Sequence, residues 1–284
     1  MKKRIIALVL ILSIVLAVAG CSRSAGNSKL TVTFIDVGQG DAALVECGGE
    51  SMLIDTGPNN KTTGEKIRKL LLDKGIYTLK YLVISHLHDD HYGGLLNNAL
   101  QNVEIKATLC NEDPYRKSNV ASHLDGSQLI IPKAGEEFSL GSATIRVVDV
   151  NSNQANDSLV LLINYENTNF LFTGDIEKEA EQQLIQQASK NLESTILKVA
   201  HHGSNSSTIS DFVKAVSPKV AVIGVGENNK FGHPNNEIIS RLEKSGAKIF
   251  RTDQMGEIII KIDNNGLMKI KYLINKKNIT NDNP

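Results

Sequence analysis

Ser85-His86-Leu87-His88-Asp89-Asp90-His91-Tyr92-Gly93-Gly94 is the stretch of this 284-residue chain from which the fold can be read. Residues 81–85 form a short apolar run of the kind that makes a buried strand, and Gly93-Gly94 mark a turn after the cluster. Residues two apart at an extended strand end project to the same side, so His86 and His88 face one way while Asp90 and His91 reach the same space from the turn. Imidazole is the commonest metal ligand near neutral pH, and this spacing offers two grips, one from the His86/His88 pair and one from Asp90 with His91. A lone His-x-His would read as a solvated loop. Here six of the seven His fall in three short motifs: the first cluster, His201-His202 in AHHGS, and His233 in GHP. Only His123 is left over; it reads as a loop His, with an out-of-register ligand as the competing reading. Thr173-Gly174-Asp175, at the end of the apolar run 169–172, supplies a carboxylate placed to bridge two ions. Paired divalent ions suit hydrolysis, because they acidify water and stabilise developing negative charge.

Outward from this stretch the chain alternates strands and helices. Residues 31–36, 42–47 and 51–55 are strand-like runs punctuated by Gly, as in consecutive hairpins. Ile67, Leu70 and Leu71 form a helical face that Lys74-Gly75 stops. Further strands are predicted at 103–110, 128–131, 143–150, 158–164 and 169–173, followed by a helix over 177–190, a strand at 195–200 and a helix at 208–216. A strand at 219–226 and a helix at 236–245 lead to a closing hairpin of 248–252, 257–262 and 267–273, then to a polar, frayed tail, 275–284. No internal repeat or interdomain linker interrupts the pattern. The expectation is a single α/β domain over 30–274, two mixed sheets flanked by helices.

The first residues have a different character. Lys2, Lys3 and Arg4 precede an apolar run, 5–19, broken only by Ser13 and closed by Val18-Ala19-Gly20-Cys21. This is the charged, apolar, small-residue order of an export signal, and the run is short of the roughly 20 residues of a spanning helix. The ending resembles a bacterial lipobox, in which Cys21 is lipidated and becomes the new N-terminus. Residues 1–20 are therefore expected to be a lipoprotein signal peptide and 21–29 a polar tether, with the protein anchored to the outer face of the cytoplasmic membrane. Simple secretion and an uncleaved anchor are the competing readings.

The chain carries 31 Lys+Arg against 31 Asp+Glu; without residues 1–20 the balance is 28 against 31, a charge of about −3. A polyanion-binding surface built from Lys and Arg is excluded. With 41% hydrophobic and 22% charged residues the chain is not disordered. Cys21, Cys47 and Cys110 are too few and too scattered for a disulfide framework or a Cys zinc site, and Cys47 and Cys110 are read as free thiols. The absence of Trp and an aromatic content of 5% supply few stacking platforms.

The HxHxDH pattern, complete in His86, His88, Asp90 and His91, together with Asp55 in LIDTG (53–57), resembles the metallo-β-lactamase superfamily. The resemblance narrows to the C-terminal hydrolase domain of ComEC-type competence proteins. It is carried by FIDVGQGDAALVE (34–46), SHLHDDHYGGL (85–95), LFTGDIE (171–177), LKVAHHGSNSS (197–207), GHP (232–234) and FRTDQMGEI (250–258), and it covers 30 to about 260. It does not extend to the membrane spans of such a channel. The resemblance implies an αββα sandwich and a hydrolase with two divalent ions, Zn or Mn. His86 and His88 would hold the first ion, Asp90, His91 and His201 the second, and Asp175 would bridge them. The family's remaining first-ion His has no counterpart, since Asn156-Asp157-Ser158 stands in its place. Asn156, Asp157 or water would complete an under-coordinated site, and oxygen ligands lean towards Mn or Mg where imidazoles suit Zn.

Asp36 and Asp41 in DVGQGD (36–41), and Asp55, are expected beside the ions, orienting imidazoles, with a tight hairpin and buried structural hydrogen bonds as competing readings. His202 and His233 are assigned to the substrate phosphate or leaving group, with Ser204 beside them; packing and a simple turn compete. Lys198 is placed on a solvent face or strand edge, and Lys269, Lys271, Lys276 and Lys277 on a solvated edge. The resemblance implies a phosphodiesterase or DNA nuclease outside the membrane. The partners expected are the membrane, through the lipid, and DNA or another phosphodiester, with no protein partner indicated. The rivals are a phosphorylcholine-type cell-wall esterase, disfavoured by the lack of Trp and repeats, and a non-catalytic DNA- or competence-binding lipoprotein, disfavoured by the ligand set. A β-lactamase fits the motifs around Asp175 and His201 less well.

Overall fold

The Gly-punctuated runs at the start of the domain fold as an antiparallel meander of β1 (Leu30–Phe34), β2 (Ala43–Cys47) and β3 (Glu50–Ile54), with Phe34 opposite Ala43 and Ala43 opposite Ile54. The computed structural model describes residues 29–111, 118–150, 158–188, 192–274 and 278–282. Residues 1–20 and Cys21, expected to carry a lipid, lie outside them, and no described helix is long and apolar enough to cross a membrane. Beyond β3, the strands β4 (Thr78–Ile84), β5 (Glu104–Cys110) and β6 (Gln128–Ile130) join in parallel.

A second sheet is built from β7 (Glu137–Leu140), β8 (Ala143–Val150), β9 (Leu159–Tyr165), β10 (Thr168–Phe172), β11 (Ile196–Lys198), β12 (Val220–Ile223) and β13 (Lys248–Arg251). Its order is β13-β12-β11-β10-β9-β8-β7, parallel from β10 to β13. The chain then returns to the first sheet as β14 (Ile258–Ile262), β15 (Met268–Ile274) and β16 (Asn278–Asp282), which extend it from β1 and give nine strands.

Val32, Val45 and Met52 of one sheet meet Ile145, Phe170 and Val222 of the other in the central core, where the Phe34 and Phe172 rings stack at 5.7 Å. The outer face of the first sheet is covered by α1 (Lys61–Asp73), through Ile67 and Leu71, with α2 (Asp89–Tyr92) and α3 (Ser118–Ala121) nearby. Asn60 caps α1 by accepting from the Thr63 amide at 2.9 Å, and Gly75, at φ 66°, turns the chain away. On the other outer face, α4 (Lys178–Ala188), α5 (Ser210–Val216) and α6 (Asn236–Lys244) bury Leu184, Phe212 and Leu242. The expected αββα sandwich in a single domain is the observed one.

Three expectations for the C-terminal part are corrected. Residues 248–252 do not form a hairpin with 257–262. β13 lies parallel to β12, and α7 (Thr252–Met255) carries the chain across to the other sheet, pinned where the Val225 amide donates to Thr252 Oγ1 at 2.9 Å. The polar tail holds β16, antiparallel to β15 with Asn278 opposite Ile274 and Asp282 opposite Ile270. A bare β15 would leave a row of unpaired backbone groups, which even a polar segment satisfies. Lys269 and Lys271 therefore stand on an interior strand, while Lys276 and Lys277 lie outside the described residues. Strand β7 is not among the strands the sequence predicts, and only its Leu140 is buried. Cys47 and Cys110 are buried thiols in different core clusters, and no disulfide joins them.

The site follows from this topology. His86 and His88 come after β4, Asp55 after β3, Asp175 after β10, the His201-His202 pair after β11 and His233 after β12, so the carboxyl ends of strands from both sheets deliver them to one rim.

Candidate metal centre

His91 is fully buried, and its orientation is set from behind. Asp55, held at φ 56°, accepts from the Ser85 amide through Oδ1 at 2.7 Å and from the Ser85 hydroxyl through Oδ2 at 2.7 Å. The same Oδ2 lies 2.8 Å from His91 Nδ1, which turns Nε2 into the centre, 3.2 Å from Asp175 Oδ2. Asp55 thus backs the His91 imidazole with a carboxylate, an arrangement that orients a metal-ligating imidazole. The Asp175 amide donates to Ser158 Oγ at 2.9 Å, and at Gly174 (φ 51°) a Cβ would come within 2.5 Å of that oxygen. His86 Nε2 is 3.9 Å from Asp175 Oδ2 and 2.9 Å from His88 Nδ1, while its own Nδ1 sits 3.1 Å from Ser85 Oγ and 3.3 Å from Ser158 Oγ.

The two consecutive imidazoles after β11 exchange the places expected of them. Residues Ala200–Gly203 form a tight turn in which His201 and His202 both take left-handed backbone angles, φ 48° and 54°. It is His202, 1% exposed, that enters the centre: its Nδ1 donates to the Gly224 carbonyl at 2.8 Å, which aims Nε2 at Asp90 Oδ2 (3.4 Å) and Asp175 Oδ2 (3.7 Å). His201 stays at the open side with 25% of its side chain exposed. Its Nδ1 is held by Glu177 at 3.3 Å and Ser206 at 3.2 Å, leaving Nε2 3.9 Å from Asp175. The sequence AHHGS cannot tell which of two adjacent His turns inward; the Gly224 carbonyl, on another strand end, decides it.

The donor set fits divalent cations. Among the described residues, His91 Nε2, His202 Nε2 and Asp175 Oδ1 are buried with no hydrogen-bond partner, and they converge. Asp41, His91, Asp175 and His202 each bring one ligand atom into a group within 4.8 Å. Unpaired buried polar atoms carry a free-energy cost, which a cation bound among them relieves. The electrostatics agree. Burial pulls the His202 imidazole down, but Asp175 and Asp41 outweigh it and push it up to about 10. His91 is likewise lowered by burial yet raised well above the usual range by Asp175 and Asp55. Burial would raise the Asp175 carboxyl; His91 and His202 instead hold it well below the carboxylate range. The carboxylates thus demand positive charge at the position where imidazole nitrogens and carboxylate oxygens meet, a mixed donor set of the kind that binds divalent metal ions.

Around this centre several assignments shift. Lys198 is buried, with Nζ 2.5 Å from Asp41 Oδ2 and 2.9 Å from the Val199 carbonyl, not on a solvent face. Both faces of β11 are covered, and Lys198 shares the inter-sheet face of Ile196, so its charge is met by a buried carboxylate. Asp41 stands 3.5 Å from His202 Nδ1, beside the converging ligand atoms. Asp36 is turned to α1: Lys66 Nζ donates to its carbonyl at 2.5 Å and lies 3.8 Å from Oδ2. Ser204 braces the turn by accepting from the Ser206 amide, and Ser206 is the hydroxyl that touches His201. Asn156 and Asp157 lie outside the described residues. His123 sits in the turn after α3, its amide donating to the Val120 carbonyl.

His233 reaches the rim. Asn229 ties its loop together, donating to the carbonyls of Gly226 (2.9 Å) and His233 (2.6 Å) and accepting from the amides of Phe231 (3.2 Å) and His233 (3.0 Å). Pro234 packs against Gly203, where a Cβ would approach within 2.6 Å, and so docks this loop on the AHHG turn. The His233 ring lies 5.8 Å from that of His201. Burial, then His202 and His201, hold its imidazole below the usual range, and its Nδ1 is among the unpaired buried atoms.

The metallo-beta-lactamase superfamily model matches residues 35–227. The ComE operon protein 3 of Bacillus subtilis (strain 168) is 29% identical over 256 residues, 82% of this chain and 33% of that protein. The competence protein ComA of Neisseria gonorrhoeae is 30% identical over 233 residues, 82% of this chain and 32% of that protein. The chain thus spans about a third of the length of these curated relatives. Among solved structures Igni18, a metallo hydrolase from the hyperthermophilic archaeon Ignicoccus hospitalis, has a TM-score of 0.56 at 20% identity, covering 82% of this chain and 98% of that one, a likeness of fold.

Proposed function

Because the chain belongs to the metallo-β-lactamase superfamily, we propose that it is a metal-dependent phosphodiesterase that cleaves DNA, held at the outer face of the cytoplasmic membrane by a lipid on Cys21. The observation that carries the hydrolase reading is the convergence of His91 Nε2, His202 Nε2 and the Asp175 carboxylate, buried and unpaired. Asp90, His91 and His202 would hold one ion, His86 and His88 the other, and Asp175 stands between the two sets. Two divalent ions there, Zn or Mn, would acidify water and neutralise charge on a phosphoryl group.

The chain's own residues do the rest. Asp55 and the Gly224 carbonyl fix the tautomers of His91 and His202, so that each presents Nε2 inward. His201 and His233 line the open side and donate hydrogen bonds to the phosphoryl oxygens and the departing oxygen. The competence proteins among the relatives favour DNA as the substrate. A mature charge of about −3 gives little general affinity for DNA, which suits an enzyme that grips a strand at its centre instead of along a basic surface. The reading is tested with purified protein and Mn or Zn on labelled single- and double-stranded DNA, beside bis-p-nitrophenyl phosphate. Cleavage of DNA is expected. Cleavage of the small diester alone would overturn the DNA assignment and keep the enzyme class, and cleavage of neither would overturn both.

A further inference from the structure

We propose that Phe231 is a stacking platform for a nucleobase beside the cleaved phosphodiester, an inference that rests on the DNA reading above. Phe231 is 56% exposed and belongs to no core cluster. Single exposed apolar side chains are ordinary, so exposure alone says little. Its surroundings say more. The ring is nearly parallel to that of His233, 23° apart with centroids at 5.7 Å. His233 is 5.8 Å from the His201 ring, whose Nε2 is 3.9 Å from the Asp175 carboxylate. A continuous file of rings therefore leads from the centre to solvent and ends on the exposed Phe231 ring.

Two further features fit a nucleotide. Lys230 Nζ lies over the Phe231 ring, 5.1 Å from its centre, a cation on a flexible side chain that a stacking base would displace and whose charge suits the phosphate beside that base. An open groove of about 570 Å³ runs beside the same loop, lined by Gly226, Glu227, Gly232, His233, Asp253 and Arg251, with the Arg251 guanidinium already paired to Asp253 at 2.6 Å. The loop is braced by the four Asn229 hydrogen bonds, so the ring is displayed in place, which lowers the ordering cost of stacking. Tyr77, the other strongly exposed aromatic among the described residues, stands before the start of β4, a full strand length from His86, and has no such relation to the centre. Bases stack on aromatic faces without sequence preference, so one platform serves any sequence.

The test uses the full chain in detergent and fluorescence anisotropy with two phosphorothioate oligonucleotides of equal length, one oligo-dT and one abasic. Phe231→Ala is expected to weaken oligo-dT binding at least about 5-fold while leaving abasic binding unchanged, and Phe231→Trp to restore the native value or exceed it. Thermal melting of each variant reports the fold, which an exposed position should not disturb. Equal weakening of both oligonucleotides, or no weakening of either, overturns the platform while the DNA reading stands. Binding of neither oligonucleotide by the native chain removes the DNA reading and the platform with it.

Discussion

Lys198 Nζ lies 2.5 Å from Asp41 Oδ2, and both groups are buried at the end of the inter-sheet core beside His202. Burial alone would raise the Asp41 carboxyl; the Lys198 ammonium, and then His202, reverse this and hold it below the usual range. Removing one partner of a buried pair strands the other charge, at a cost of about 3–5 kcal/mol. Lys198→Met should lose that much in urea unfolding, and adding Asp41→Asn should recover more than half of it. Strictly additive losses in the double variant would show that the two groups do not act as a pair.

The proposed assignment of His202 to the metal and His201 to the substrate has a direct readout. His202→Ala should lose tightly bound metal by elemental analysis, because Nε2 of His202 faces Asp90 and Asp175 with no other partner. His201→Ala should keep its metal and lose roughly 100-fold in kcat, as expected for a group that meets the substrate. Metal loss in His201→Ala with retention in His202→Ala would return the ligand role to His201.

Asp55 offers a milder test of the same centre. It touches His91 and Ser85 but points no oxygen at the converging atoms. Asp55→Asn should keep the fold, since the amide oxygen still accepts from Ser85, while weakening metal binding about 10–100-fold in competition with a chelating dye. Unchanged affinity would mean that the orientation of His91 is set elsewhere.

These tests fall where the sequence stopped being informative. The apolar runs and Gly turns foretold most strands, because period and punctuation are local properties of the chain. His86, His88, Asp90, His91 and Asp175 were legible because a strand end followed by a turn projects side chains in a known direction. What was not legible depends on groups far apart in the chain. Gly224 selects His202 over His201 from 22 residues away. Lys198 meets Asp41, from the connection between β1 and β2 of the opposite sheet, and no alternation within β11 announces that both its faces are covered. Ser85 and Ser158 flank recognised motifs, yet nothing in their spacing shows that both hydroxyls converge on His86. The polar composition of the tail concealed β16 because the signal lay in the unpaired edge of β15.

Glu181 links the scaffold of the centre to pH. From α4 it accepts hydrogen bonds from the Thr208 amide at 2.5 Å and the Ile209 amide at 2.8 Å, and so ties down the segment between His202 and α5. Burial raises its carboxyl to about 7, the two amides and Arg241 offsetting only part of the effect. Between about 4.5 and about 7 the unfolded chain has lost a proton that the folded chain keeps. This group's contribution to stability is therefore fully present below pH 4.5 and is lost as pH rises to about 7, by roughly 3 kcal/mol. Glu181→Gln cannot titrate. Urea midpoints measured with chelator at pH 5, 6 and 7.5 should therefore show the native protein losing ground to the variant as pH rises, then running parallel to it above pH 7.5. The imidazoles that titrate in the same window are common to both proteins and cancel in the difference. A difference that stays constant from pH 5 to 7.5 would show that Glu181 is already ionised in the folded protein at the lower pH, with the two amides and Arg241 outweighing its burial.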